Sequence, residues 1–283
     1  MGDTEPATQP PTAACLRAVG ISFAHEPHHP ILHDCSLAVY PGEIIALLGA
    51  NGSGKSTLLK LLAGAWRPAT GHVERHGTPL DYSRKGRDQH RQAVQLVLQE
   101  PDDQIFAVSV AADVAFGPTN LELDPDTIAQ RVAWAMEACE ITDLARRVPH
   151  QLSYGQRKRV ALAGALAMQP SVLLLDEPTA GLDPAGARQL LATISLQRAA
   201  GRAILLATHE VDTAWEIADR VAIMHEGTVR IGPARTMLRD QQLLAAARLG
   251  QPWAPMVEQL TGTTITKPAD LAAWLAANQP PLG

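Results

Sequence analysis

The stretch Ile44-Ile-Ala-Leu-Leu-Gly-Ala-Asn-Gly-Ser-Gly-Lys-Ser-Thr57 decides how the rest of the chain is read. Its first five residues, Ile44 to Leu48, form a continuous apolar run of the kind that suits a parallel strand buried on both faces. The run passes directly into Gly49, Ala50, Asn51, Gly52, Ser53, Gly54, Lys55, Ser56 and Thr57, a full match to G-x-x-x-x-G-K-[ST] in the strand-to-helix setting that this motif requires. A helical stretch from Ser56 to Ala63 follows. Glycines let the backbone curl around an anion, so that N–H groups and the positive end of the helix converge on phosphate. Lys55 is then placed to neutralise β and γ phosphates, and the Ser56 hydroxyl to bind Mg²⁺.

Outward from this loop, further apolar runs at Val94 to Gln99, Val172 to Leu175 and Ala203 to Ala207 read as buried strands alternating with helical patterns. Leu16 to Phe23 and Leu37 to Tyr40 read as short strands, and Val221 to Met224 with Thr228 to Ile231 flank Glu226-Gly227, a hairpin signal. Helical patterns fill Asp124 to Leu166 apart from a break at Pro149. The alternation predicts an α/β sheet protein. At the end of the Val172 strand, in VLLLDEP, stand Asp176 and Glu177. One carboxylate there can reach the metal held by Ser56 and its neighbour can polarise an attacking water, so the expected chemistry is ATP hydrolysis and not binding alone.

Composition narrows the classes. The 283 residues carry 24 Lys and Arg against 29 Asp and Glu, a net charge of −5, which does not favour an electrostatic wrapper for nucleic acid or anionic lipid. With 46% hydrophobic residues the chain can bury a substantial core, which excludes global disorder. Cys15, Cys35 and Cys139 fit neither a disulfide framework nor a C-x-x-C motif and read as reduced thiols. The longest uncharged stretch, between Arg159 and Asp176, is interrupted by Gln169, Pro170 and Ser171, short of a membrane span. Residues 1–14, rich in acid, threonine and proline, lack signal-peptide character and are expected to form a disordered tail.

Leu152-Ser153-Tyr154-Gly155-Gln156 precedes a helical stretch from Arg157 to Met168 and offers a second helix end to an anion, with no phosphate-loop lysine of its own. Together with the motifs above, in this order, it resembles the signature of ABC-type ATPases, and the resemblance covers residues 15 to 235. It implies a RecA-like P-loop NTPase core with an N-terminal antiparallel β subdomain, an inserted helical subdomain at about 100–168 and a small C-terminal extension. It also implies a head-to-tail pair of ATPases, each ATP lying between the phosphate loop of one subunit and Ser153, Gly155 and Gln156 of the other. Gln99 matches the Q-loop glutamine that senses Mg²⁺ and the γ-phosphate, Asp183 the D-loop aspartate, and His209 the switch histidine. The family's usual signature glycine is Tyr154 here, and the aromatic residue that stacks on adenine aligns with His25, two residues after Phe23.

LQEPDDQIF at 98–106, DVAFGP at 113–118 and LSYGQRKRVALAGALAM at 152–168 are similar to energy-coupling-factor importers, most of all the ATPase subunit of cobalt uptake. That resemblance implies a homodimer or paired ATPase at the cytoplasmic face of the membrane, an integral coupling subunit docked near Pro101 to Phe106, a separate substrate-capture component, and no nucleic acid. Nickel, biotin or another vitamin are the alternative cargoes. A soluble ABC ATPase acting on nucleic acid usually adds a long coiled coil or a second cassette, and this chain has neither. The basic run Arg157-Lys158-Arg159 reads as a charged helix face.

The ATPase domain is expected to span 15–239, and residues 240–283 to form an appended helical extension. Within it, Pro268 suits a first helical turn, and Leu271, Trp274 and Leu275 fall on one apolar face. A helix of about ten residues must bury such a face against something. Contact with a partner's extension is the preferred expectation and packing onto its own core the alternative.

Overall fold

The computed structural model describes residues 13–26 and 29–278, so the expected tail at 1–14 lies almost wholly outside the described residues. The six-stranded sheet runs in the order β10 (Thr228–Pro233), β9 (Arg220–His225), β3 (Ile44–Leu48), β8 (Ala203–Thr208), β7 (Val172–Asp176) and β6 (Val94–Val97). All its pairings are parallel except β9 with β10. Strand alternation explains why these runs are apolar throughout. Val172 and Leu174 face one core and Leu173 and Leu175 the other, so no residue between them meets water. The β9–β10 hairpin turns on Glu226 and Gly227, both at positive φ (46° and 74°), as a tight hairpin turn requires.

On one face, α1 (Lys55–Leu62) is packed between this sheet and a smaller antiparallel sheet ordered β2 (His29–Val39), β1 (Leu16–Glu26), β4 (Thr70–Arg75) and β5 (Thr78–Pro79). β1 and β2 are longer than the sequence pattern suggests, because register shifts between them let polar residues continue the pairing. On the other face α3 (Val110–Asn120), α4 (Pro125–Ala138) and α5 (Tyr154–Ala167) form a helical cluster that shares a core with β7 and β8. α6 (Pro184–Ala199) and α7 (Val211–Ile217) complete the cover. One helix had no apolar signature: α2 (Arg84–Ala93) buries only Gly86 and His90.

The first part of the C-terminal segment follows the alternative expectation and packs onto its own core, while the apolar face of its last helix stays largely uncovered. α8 (Ala234–Met237), α9 (Gln241–Ala246) and α10 (Trp253–Thr261) place Leu244, Ala247, Ala254 and Ile265 in one buried cluster with Ala46, Leu48 and Trp215 of the same chain. The Trp215 indole donates to the Ile265 carbonyl at 3.2 Å, and the Trp253 N–H donates to Asp212 at 2.9 Å. The physical reason is Trp215, a large side chain on α7 that needs a lid to be only 1% exposed. α11 (Pro268–Ala277) buries no residue fully; Leu271 leans on that cluster while Leu275 is 48% exposed. The three cysteines are all buried free thiols, and burial pushes Cys139 up to about 12.

Candidate functional site

The carboxyl ends of β3, β7 and β8 bring three motifs to one place. After β3 the loop turns through Gly52 and Gly54, at φ 80° and 103°; at Gly54 a side chain would be both strained and in contact with Leu32. α1 begins without a side-chain cap, so the N–H groups of its first turn are uncommitted to any side chain. Lys55, 6% exposed, donates to the Gly49 carbonyl at 2.8 Å and to that of Ala50 at 3.4 Å, and its ammonium lies 3.5 Å from the Glu177 carboxylate.

Asp176 and Glu177 are both buried, at 5% and 6% exposure. Burial raises the Asp176 carboxyl above its ordinary range and the Glu177 charge adds to the rise, while a hydrogen bond from Ser56 and the nearby Lys55 oppose it. Asp176 Oδ1 is buried with no hydrogen-bond partner, as is Ser53 Oγ in the phosphate loop. A buried acid facing a serine hydroxyl, with a lone pair unused, suits a hard divalent cation with oxygen ligands. Glu177 holds a left-handed backbone, φ 44°, which a β-carbon makes costly. Its N–H donates to the Ala207 carbonyl at 2.9 Å, which ties it to the end of β8.

His209 follows β8, and its Nδ1 lies 3.1 and 3.2 Å from the two Glu177 oxygens. Its loop is braced by Glu210, a residue the sequence reading did not single out. The Glu210 N–H donates to Thr208 Oγ1 at 3.1 Å, and its carboxylate accepts from Thr179 and Thr213 at 3.1 and 2.8 Å. Lys55, Ser56, Asp176, Glu177 and His209 therefore form one contiguous group. Gln99 does not join it: its side chain is exposed, and its carbonyl accepts from the Tyr154 hydroxyl at 3.4 Å.

His25 is exposed and stands edge-on to Phe23 and Trp66, with ring centroids 5.0 and 4.8 Å away; Phe23 and Trp66 are parallel, 5.4 Å apart. Trp66 was not legible as a site residue, because it lies in a turn after α1 and meets His25 only through the fold. At the signature, Ser153 caps α5 in a reciprocal box with Gln156, each backbone N–H donating to the other's side chain at 2.9 and 3.3 Å. Asp183 caps α6 by accepting from the Gly186 N–H at 2.6 Å.

The basic run is also corrected. Lys158 is not on a charged face but 4% exposed, and its Nζ donates to the Glu177 carbonyl at 2.7 Å. Burial pulls its ammonium below the ordinary lysine range, opposed by the charges of Glu100, Glu177, Asp176 and Glu210.

Residues 32–180 match the ABC transporter family. The chain belongs to the ABC transporter ATPases. Among its relatives, the cobalt import ATP-binding protein CbiO of Rhodobacter capsulatus is 48% identical over 84% of this chain and 85% of its own length. The energy-coupling factor transporter ATP-binding protein EcfA of Methanocaldococcus jannaschii is 43% identical over 78% and 80%. The structure of CbiO1 from Clostridium perfringens, described as part of the ABC transporter complex CbiONQ, superposes with a TM-score of 0.75 at 36% identity, covering 89% of this chain and all of that one. This member of the family is thus an ATP-binding, ATP-hydrolysing protein with relatives of the energy-coupling-factor type, on the P-loop fold read from the sequence. Among the described residues no helix is long and apolar enough to cross a membrane.

Proposed function

We propose that this ATPase energises an energy-coupling-factor importer from the cytoplasmic face of the membrane, with cobalt ions as cargo. The observation that carries the hydrolytic half is the contact of Glu177 with both Lys55 and His209. Glu177 accepts the proton of the attacking water. His209, held through Nδ1 on Glu177, would steady the γ-phosphate and the attacking water, and Lys55 would exchange its loop carbonyls for phosphate oxygens. Gly49 to Thr57 would wrap the phosphates, His25 would back the adenine, and Ser56 and Asp176 would hold Mg²⁺, with Gln99 joining them only by moving its exposed side chain inward; the ion would supply charge neutralisation on the phosphates. Ser153, Gly155 and Gln156 act on the partner ATPase's nucleotide, and Asp183 lies at that junction.

A cleft of about 960 Å³ between the sheet and the helical cluster, lined by Gln104, Ile105, Phe106 and Phe116 among others, offers a place for the membrane partner. Phe106 and Phe116 meet edge to face at 4.7 Å and remain 61% and 47% exposed. The Asp113 carboxylate on α3 ties the Phe106 loop to the helix that carries Phe116, accepting from the Phe106 and Ala107 N–H groups at 2.8 and 2.7 Å. An exposed aromatic pair in a concave surface suits an apolar helix of a membrane coupling subunit. Cobalt is supported by the name of the Rhodobacter relative. Nickel, biotin or another vitamin fit the same ATPase, since cargo chemistry resides in the capture component.

Glu177→Gln is expected to keep ATP binding and lower hydrolysis by roughly 10² to 10⁴, the usual cost of removing a general base. Near-normal turnover in the assembled transporter contradicts the role. Purification with the membrane partners and elemental analysis of the bound solute tests the cargo, and a solute other than cobalt moves the reading to the alternatives.

A further inference from the structure

α5 carries two groups that point at different places. Ser153, at its N-cap, is exposed, while Lys158, five residues on, is buried against the catalytic strand of its own chain. The Lys158 Nζ lies 2.7 Å from the Glu177 carbonyl and 5.4 Å from the centre of the Tyr154 ring. That ring is held by its hydroxyl, 3.3 Å from a Glu100 carboxylate oxygen and 3.4 Å from the Gln99 carbonyl.

The Glu177 carbonyl also accepts from the Ala180 N–H at 3.2 Å, closing a turn with Pro178 at its second position. The lysine therefore uses the second lone pair and is not needed to satisfy that oxygen. What it does fix is the orientation of the peptide plane that follows a residue at φ 44°. A non-glycine residue reaches that region only at a cost and stays there when its surroundings over-determine it. The constraints on Glu177 are its N–H on Ala207, its carboxylate on Lys55 and His209, and its carbonyl on Ala180 and Lys158. Lys158 alone of these belongs to the signature helix. Burying the ammonium costs desolvation, which the nearby carboxylates of Glu100, Glu177, Asp176 and Glu210 offset in part, so what the hydrogen bond adds is chiefly orientation.

We infer that Lys158 is a positioning residue for ATP hydrolysis, holding the Glu177 backbone so that the carboxylate stays aimed at the attacking water, and linking the signature helix of each chain to that same chain's general base. The inference rests on the reading of Glu177 as the general base.

The test uses the full-length protein. Lys158→Met removes the donor and keeps the packing; Lys158→Gln is a second variant too short to reach the carbonyl; Lys158→Arg retains charge and donor. A carboxylate misplaced by an ångström costs about a hundredfold, so kcat for MgATP hydrolysis is expected to fall about 10- to 100-fold in the Met and Gln variants. KM and the affinity for a fluorescent ATP analogue without Mg²⁺ stay within about twofold, and Lys158→Arg recovers most of the rate. On a Glu177→Gln background Lys158→Met should cost nothing further, because two residues acting through one carboxylate are non-additive. Normal kcat in a folded Met or Gln variant overturns the inference, as does a rate in Lys158→Arg no better than theirs, or a fall in affinity that accounts for the loss. If Glu177→Gln abolishes hydrolysis while Lys158→Met does not, the general-base role survives and only the positioning role fails. If Glu177→Gln itself turns over normally, both fail.

Discussion

The first turns of α1 and α5 start from similar sequence, serine and glycine ahead of a helix, and arrive at opposite chemistry. α1 follows Gly54 at φ 103°, has no side-chain cap, and carries a buried lysine at its first position. α5 follows Ser153 in ordinary extended geometry and is closed by the Ser153–Gln156 box, with its nearest lysine turned away into the protein. The first end has uncommitted donors and a cation on the spot, which is a complete anion site. The second has committed the Ser153 and Gln156 N–H groups to the box and offers what remains, the O–H of Ser153 as a donor and the N–H groups of Tyr154 and Gly155. An end of that kind complements an anion held elsewhere more readily than it captures one, and this is the physical case for a half-site completed by a second chain.

The two helix ends should differ most at Lys55. Lys55→Ala removes the one ammonium of the α1 end, and ATP affinity is expected to fall about a hundredfold, as loss of charge-assisted bonds to a phosphate implies. Titration with a fluorescent nucleotide measures it, and a loss under about threefold would place the binding energy outside the loop. Ser153→Arg under the same titration should leave the affinity of the single chain unchanged.

A smaller effect separates the acid beside α1 from ordinary carboxylates. The Asp176 carboxyl titrates above its ordinary 3.8 because burial disfavours its charge. The native state then holds its proton more tightly than the unfolded chain. The penalty is absent where both are protonated, grows as pH rises from 3.8 through the raised value, and is fully in force at neutral pH. Asp176→Asn should therefore raise Tm of the nucleotide-free protein at pH 7, roughly 2–4 °C for each kcal/mol relieved. The gain should shrink as pH is lowered towards 3.8. Thermal scans across pH decide it, and a lower Tm at pH 7 contradicts the assignment.

The smallest effect lies in the α5 cap. Gln156→Ala opens half of the box, and loss of such capping costs about 0.5–2 kcal/mol. Denaturant melts should show that loss with ATP affinity of the single chain unaltered. A matching drop in affinity would mean that the signature serves its own nucleotide.

Where the sequence was legible, one short segment carried its own context. The phosphate loop announces itself because strand, glycines, lysine and helix are contiguous, and Asp176, Glu177 and His209 each end a fully apolar strand. What escaped depends on partners distant along the chain. Trp66 gains meaning from His25, 41 positions earlier. Lys158 looks solvated in a basic run, and its burial follows from the β7 end meeting α5. α2 has no apolar stripe to read, since it is held by a Ser83 cap and by the buried His90 ring on the Leu62 carbonyl at 2.7 Å. The C-terminal segment was legible only in part, because its apolar residues suit a partner as well as they suit Trp215, and those of α9 and α10 take the latter.

In the proposed dimer, one nucleotide site takes its phosphate loop from one chain and its signature from another. The direct test places Lys55→Ala and Ser153→Arg in mixed dimers and counts occluded nucleotide. With both substitutions on one chain paired with an unaltered one, each composite site carries a defect, and no occluded ATP is expected. With the substitutions on separate chains, both defects fall in one site and the other is intact, giving one occluded ATP per dimer. Equal counts in the two arrangements would contradict the claim.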